Sequence, residues 1–372
     1  MWDLEMQNTP LDPVEIQTLE SYTKKLQEAK DKGDEYAEGH AYHDIGMFYY
    51  EHEDYEEAIK YHEQHLKIAK IRGERDQERR AYNNLTDCHD KRRDYKKCIK
   101  YDQILARIAK NAGEKEEEAR LYRRLGFSCY NLEEYERAIG YLQHALDVSK
   151  AVKNRDEERR ACKNLLACYD ELKDYNESIK YGEHLLHMAE KEDDKDEQGV
   201  QYGNLGFFYF ELDEVKKAID CHLECLRIAK ERQNFDEECR AINNLIGCYE
   251  EINDYKQIIK YTRQLVVIAK EKGDSLKEEQ LYGDLEIYYV NLTLCNGRET
   301  SLAVVEETSD IREQQLVSNV LKLLEENGEN QSGKYLFLII MIIVFVIVFV
   351  IIMVIFFAIV VFSSFLPLSW SF

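Results

Sequence analysis

An all-α solenoid of stacked helix pairs is the fold the sequence predicts, and three observations predict it. Residue types recur at a fixed step of 40: Tyr55, Tyr95, Tyr135, Tyr175 and Tyr255 share one column, broken only by Val215, and Ile59, Ile99, Ile139, Ile179, Ile219 and Ile259 share another. A third column, Ile45, Leu85, Leu125, Leu165, Leu205, Leu245 and Leu285, keeps the same step. The three prolines, Pro10, Pro13 and Pro367, leave everything from Val14 to Leu366 without the strongest helix breaker. Within one period, Tyr42, Ile45, Gly46 and Tyr49 fall at i, i+3, i+4, i+7, and Tyr55, Ala58, Ile59, Leu66 and Ala69 form a second helical stripe. A repeat of this length buries its apolar face only by stacking on its neighbours, which yields an extended surface and favours binding over catalysis.

Taken in chain order, residues 12–34 are expected to form a lone starting helix, because Ala29-Lys30-Asp31-Lys32-Gly33 matches the end of later second helices such as Ala269-Lys270-Glu271-Lys272-Gly273. Residues 35–294 form the array. Its turns within pairs are expected at Glu53-Asp54, Arg93-Asp94, Glu133-Glu134, Lys173-Asp174, Asp213-Glu214 and Asn253-Asp254, and between pairs at Gly33, Gly73, Gly113 and Gly273. The seventh repeat begins with Leu281, Tyr282, Leu285 and Tyr289 but has Cys295-Asn296-Gly297 where the Tyr column should fall. Residues 295–333 are assigned to a capping helix, centred on 309–326, and a polar linker.

The C-terminal part changes character. From Tyr335 to Phe372 no residue is charged, and residues 335–362 are almost purely Ile, Val, Phe, Leu and Met. That length spans a bilayer with tilt, and the residue types favour insertion by about −10 kcal/mol. The expectation is a single-pass transmembrane helix with the repeats in the cytosol, since about ten residues follow Phe362 and the N-terminus shows no signal peptide. The length and apolarity of the run, with no basic residue after it, favour the endoplasmic reticulum or secretory route.

Composition excludes several classes. A formal charge of −22 and the lack of basic runs argue against nucleic acid as a partner. Ten singly scattered cysteines, with Cys88, Cys168 and Cys248 in one repeat column, are distributed like small core residues in a reducing compartment. No phosphate-binding glycine loop, HExxH or assembled nucleophile set occurs, so the chain is expected to be no enzyme and to need no cofactor. His62 with His65, and Cys221-His222 with Cys225, have helical spacing suited to a metal. Leu185 and Leu265 occupy the Cys225 column elsewhere, so core packing accounts for them better and no metal site is expected.

With Tyr42, Ile45-Gly46, Tyr49 and Ala58 in these relative positions, each unit resembles a tetratricopeptide repeat over roughly residues 35–292. The 40-residue step, and segments such as Glu78-Arg79-Arg80-Ala81-Tyr82-Asn83-Asn84-Leu85, are similar to the long-helix subclass found in the Leu-Gly-Asn-repeat G-protein signalling modulators. The Gα-binding motifs of those modulators are absent between Cys295 and Gly333, so Gα regulation is not implied. The resemblance implies peptide binding, with the first helix of each pair lining a concave face.

On that face one column holds His40, Arg80, Arg120, Arg160, Val200 and Arg240, and another Asp44, Asn84, Arg124, Asn164, Asn204 and Asn244, with Arg123 and Lys163 between them. Arginine offers a fork of donors to carboxylates and asparagine both donates to and accepts from a peptide backbone, so an acidic or polar strand suits this ladder. Pairing of the arginines with neighbouring glutamates is the competing account. A third column alternates Tyr50, Asp90, Tyr130, Asp170, Phe210 and Glu250, which makes Tyr50, Tyr130 and Phe210 candidate apolar anchors at every second repeat. Phe127 and Phe207 alternate likewise with Asp87, Ala167 and Gly247; packing against the next repeat would produce the same pattern.

The function these features predict is a membrane-anchored scaffold or adaptor that recruits proteins through extended peptide segments. A second reading stays open: a soluble polarity or spindle-orientation adaptor of the G-protein-modulator type. In it the apolar tail is not part of the gene product, because Phe, Leu, Ile, Met and Val codons share one middle base and a translated intron would give the same run.

Overall fold

The computed structural model describes residues 12–328, with side chains through residue 325. Helices account for nearly all of it. They run α1 Pro13–Lys32, α2 Glu35–Glu51, α3 Tyr55–Arg72, α4 Arg75–Lys91, α5 Tyr95–Ala112, α6 Lys115–Tyr130, α7 Tyr135–Val152, α8 Arg155–Glu171, α9 Tyr175–Lys191 and α10 Lys195–Glu211. They continue with α11 Val215–Glu231, α12 Phe235–Glu251, α13 Tyr255–Lys272, α14 Ser275–Asn296, α15 Arg298–Glu306 and α16 Ile311–Gly328. The chain divides at Ile228 and Ala229, within α11, into two compact units.

The turns explain the period. Through the array, each junction between helices α1 to α14 places one residue in the left-handed region: Glu53, Arg93, Glu133, Lys173, Asp213 and Asn253 within pairs, and Gly33, Gly73, Gly113, Lys153, Asp193, Gln233 and Gly273 between them. The glycines carry this conformation without a β-carbon clash. Lys153, Asp193 and Gln233 adopt it with φ of 59°, 53° and 57° because register demands it. The next helix then starts on a capping carboxylate or amide: Asp34, Asp54, Asp94, Asn154, Asp174, Asp194, Asn234, Asp254 and Asp274 each accept from a backbone N–H of the first turn. Glu74, Glu114 and Glu134 make no such bond.

In the first unit each helix packs on its chain neighbours from α1 through α10, and the expected columns form its core. Ile45, Leu85, Leu125, Leu165 and Leu205 are all buried. The Ile column is less uniform: Ile59 and Ile99 are buried, whereas Ile139 and Ile179 are only half-buried. All ten cysteines are free thiols. Burial pushes Cys88, Cys98, Cys162 and Cys168 up to about 12, so these thiols are packing groups without nucleophilic character at neutral pH.

The second unit ends in a departure from the repeat. Where other first helices stop at a left-handed residue followed by an acidic cap, this one has Thr293-Leu294, and α14 continues to Gly297 (φ 87°). Two further helices, α15 and α16, then close its end, where one had been expected. Arg263 of α13 donates to Glu313 (2.8 Å), to the Tyr289 hydroxyl (2.8 Å) and to the Val304 carbonyl (2.7 Å), and Tyr289 donates to Glu313 (2.7 Å). Lys270 and Tyr282 both donate to Asp310. Against partial burial, which pushes the other way, these donors hold the Asp310 carboxyl down to about 2. α16 is thus held by a buried, satisfied polar network as well as by Val317, Val320 and Leu321.

Among the described residues no helix is long and apolar enough to cross a membrane. The expected span at residues 335–362 lies outside the described residues, as does the linker from residue 329.

Candidate functional site

The first helices of the first unit, α2, α4, α6, α8 and α10, carry the columns singled out from sequence. Arg80, Arg120 and Arg160 occupy one register position on α4, α6 and α8, and all three are exposed. One turn further along, Asn84, Arg124, Asn164 and Asn204 are half-buried. In the second unit Arg240 is exposed and Asn244 half-buried on α12.

Their charges are not equally available. Arg120 donates twice to Glu117 of its own helix (2.8 and 2.6 Å). Arg123 pairs with Glu157 of α8, and Lys163 with Glu197 of α10 at 2.5 Å. These links join one first helix to the next at a separation of 34 residues. Glu117, Glu157 and Glu197 share a column of their own, six positions before the Arg123 and Lys163 column, and this acidic column escaped the sequence reasoning although the same 40-residue register displays it. Pairing with neighbouring glutamates therefore describes Arg120 and Arg123. Arg80 and Arg160 form no ion pair among the described residues, and the same is true of Arg240.

Arg124 sits deeper. Its guanidinium lies 3.2 Å from the Asp102 carboxylate of α5 and 3.4 Å from Asp87. Asp102 is wholly enclosed, and burial pushes its carboxyl up to about 7 despite Arg124. Asn84 is likewise engaged, donating to the Nδ1 atoms of His43 (3.2 Å) and His62 (3.4 Å).

The alternating aromatics are half-buried and spend ring faces on the array. Tyr50 packs edge-on against Tyr55, and Tyr130 against Tyr135, with the Tyr130 hydroxyl donating to Glu171 at 3.1 Å. Phe210 is half-buried on α10. The more exposed rings are Phe127 and Phe207, each edge-on to the first residue of a preceding second helix, Tyr95 and Tyr175. What the face offers a ligand is thus a row of exposed guanidinium groups, a deeper row of amides, and aromatic edges, beside the cross-helix ion pairs of Arg123 and Lys163.

Three ring nitrogens, one each from His43, His62 and His65, come within 4.8 Å of one another between α2 and α3. His62 and His65 were recognised from sequence only as a helical pair; His43, on the other helix of the repeat, has no spacing signal that links it to them. Burial lowers His62 to about 3 and His65 to about 4, and also lowers His43, so all three rings are neutral at pH 7.

Residues 38–111 and 117–191 match the family model of the tetratricopeptide repeat. A comparison with curated proteins finds no match. Among solved structures, BtubC from P. vanneervenii is similar at 19% identity, covering 60% of this chain and 94% of that one, with a TM-score of 0.46. A STAND signal transduction ATPase with a tetratricopeptide repeat sensor from Pyrococcus horikoshii is similar at 16% identity, covering 85% of this chain and 46% of that one (TM-score 0.48). YrrB, described as a TPR protein with an unusual peptide-binding site, is similar at 17% identity, covering 60% and 98% (TM-score 0.41). Similarity to the tetratricopeptide repeat thus covers residues 38–111 and 117–191, within an all-α helical-repeat fold.

Proposed function

We propose that this tetratricopeptide-repeat scaffold holds an extended acidic or polar peptide of a partner protein along the first-helix face of its first unit, and that residues 335–362 fasten it to a membrane of the secretory route. The observation that carries the binding reading is the exposed guanidinium row Arg80, Arg120 and Arg160 above the half-buried amides Asn84, Asn164 and Asn204. In a chain of net charge −22, exposed arginines kept at one register position and, at Arg80 and Arg160, without an ion-pair partner among the described residues, suit a carboxylate-bearing ligand. Arg120 would exchange Glu117 for the ligand. Arg123 acts as a strut through Glu157, and Tyr50, Tyr130 and Phe210 supply ring edges. Arg240 and Asn244 give the second unit the same pair of groups.

The membrane reading is supported by the uncharged run 335–362. The 40-residue step supports kinship with the Leu-Gly-Asn-repeat subclass, without its Gα-binding motifs.

Two measurements on the full chain test these parts separately. Enrichment of a displayed random-peptide library should select acidic sequences whose binding is lost in Arg80→Glu and Arg160→Glu and kept in Glu136→Lys; selection indifferent to Arg80 and Arg160 would end the binding reading. Microsomes should hold the chain through carbonate extraction and leave Asn176, Asn291 and Asn330, all in acceptor sequons, without sugar. Release by carbonate would end the membrane reading alone.

A further inference from the structure

We propose that His43, His62 and His65 form a binding site for a divalent transition-metal ion, Zn²⁺ by preference, within the first helix pair of the array. One nitrogen of each ring lies within 4.8 Å of the others. Three imidazole nitrogens 2.0–2.1 Å from a tetrahedral ion stand roughly 3.3 Å apart. The remaining closure is small, and the half-buried His43, at the rim, has the freedom to make it by ring rotation.

The hydrogen bonds present the right atoms. His65 is 2% exposed, and its Nε2 donates to Gln77 Oε1 at 3.3 Å, which leaves Nδ1 as the lone-pair nitrogen. That buried Nδ1 has no hydrogen-bond partner. His43 and His62 each accept from Asn84 through Nδ1, at 3.2 and 3.4 Å, so their lone pairs converge on one amide group by long, weak bonds. His62 is fully enclosed and its other nitrogen, Nε2, also lacks a partner. A buried imidazole that satisfies so little of its hydrogen-bonding capacity is costly in an apolar core. An ion would take the bare lone pair of His65 Nδ1 and replace the long Asn84 bonds at the Nδ1 atoms of His43 and His62. Gln77 is then the outer group that sets the His65 tautomer, the arrangement common to ligating histidines.

Packing alone gives a different picture, and the same chain displays it. His222 lies over Gly206 as His62 lies over Gly46, with a β-carbon at either glycine falling under 3 Å from the ring. In that repeat the positions of His43 and His65 are held by Gly203 and Cys225, and no metal-ligating group of three is found there among the described residues. Three neutral nitrogen donors are the ligand set of zinc, copper, nickel and cobalt, not of magnesium or calcium.

The test uses the full chain stripped of metal by a chelator. Titration with Co²⁺ should give a visible d–d spectrum that saturates at one ion per chain and is displaced by Zn²⁺. His43→Ala, at the half-buried rim, should lose the spectrum while keeping the helical circular dichroism, and His65→Gln should do the same. Gln77→Ala should weaken uptake by about tenfold. His222→Ala should leave it unchanged. Failure of the folded wild type to take up Co²⁺ or Zn²⁺ at one equivalent, or uptake that survives both His43→Ala and His65→Gln, would overturn the proposal.

Discussion

Gly126 of α6 and Leu142 of α7 are matched in size: a β-carbon at Gly126 would lie 2.4 Å from Leu142 Cγ. The same pairing recurs as Gly46 with His62 and Gly206 with His222. In the rung between Gly126 and Gly206 the first helix carries Leu166 and the second Gly182, where a β-carbon would lie 3.0 Å from Leu205 and 3.6 Å from Leu166. A first-helix glycine under a bulky second-helix residue thus recurs at every second repeat, at 46, 126 and 206, and is one source of the two-repeat period in a 40-residue array. Gly126→Ala should destabilise the first unit by about 1–3 kcal/mol, and Leu142→Ala by about 2–5 kcal/mol. The double variant should be less damaged than the sum, by about 1 kcal/mol in a denaturant double-mutant cycle. Strict additivity would mean that the two positions do not share one volume.

The junction at Lys153 carries a left-handed residue with a β-carbon where the equivalent junctions at Gly33, Gly73 and Gly113 carry none. Left-handed geometry costs an L-residue roughly 1–2 kcal/mol, and glycine's extra freedom in the unfolded chain returns part of that. Lys153→Gly should therefore stabilise by about 1 kcal/mol, and Gly73→Lys should destabilise by a similar amount. Thermal unfolding followed by circular dichroism measures both; a loss of stability in Lys153→Gly would contradict this account of the turns.

Buried titratable groups pull the first unit in opposite directions as pH changes. Burial lowers His62 to about 3 and His65 and His222 to about 4, below the ordinary 6.5 of an unfolded histidine. The unfolded chain binds these protons first, so stability falls as pH drops from about 6.5 toward 4. Asp102 is the reverse case. Its carboxyl is raised by burial from 3.8 to about 7, so the folded chain binds that proton first, and its contribution, at most about 4 kcal/mol, is lost as pH rises between those values. Relative to the wild type, Asp102→Asn should gain stability between pH 5 and pH 8, and His65→Gln should gain between pH 7 and pH 5. Parallel pH profiles for wild type and Asp102→Asn would show that the carboxyl titrates normally.

The helices and the core columns were legible because period and register alone place Ile45, Leu85, Leu125 and Leu165 on one buried face. The turn positions were legible too, since glycines at 33, 73, 113 and 273 mark a register that Lys153, Asp193 and Gln233 obey without being glycine. The end of the array was not. Thr293-Leu294 lacks both a residue at ease in the left-handed region and a capping carboxylate, and the extension of α14 follows from that local absence. The candidate face was legible as columns but not as energetics. Which arginines are spent on the frame depends on the 34-residue reach from Arg123 to Glu157, and the union of His43 with His62 and His65 depends on how α2 lies on α3.

The central claim is that the exposed guanidinium row receives a partner's peptide, and site-specific photo-crosslinking tests it most directly. A photoreactive residue is placed in the full chain at 80, 120 or 160, or at the exposed second-helix positions 136 or 216. Each protein is then irradiated with the acidic peptides that the library screen selects. The account predicts crosslinks from positions 80, 120 and 160 along successive parts of one extended peptide, weakening with added salt, and none from 136 or 216. Crosslinks from 136 or 216 with none from the arginine row would contradict it.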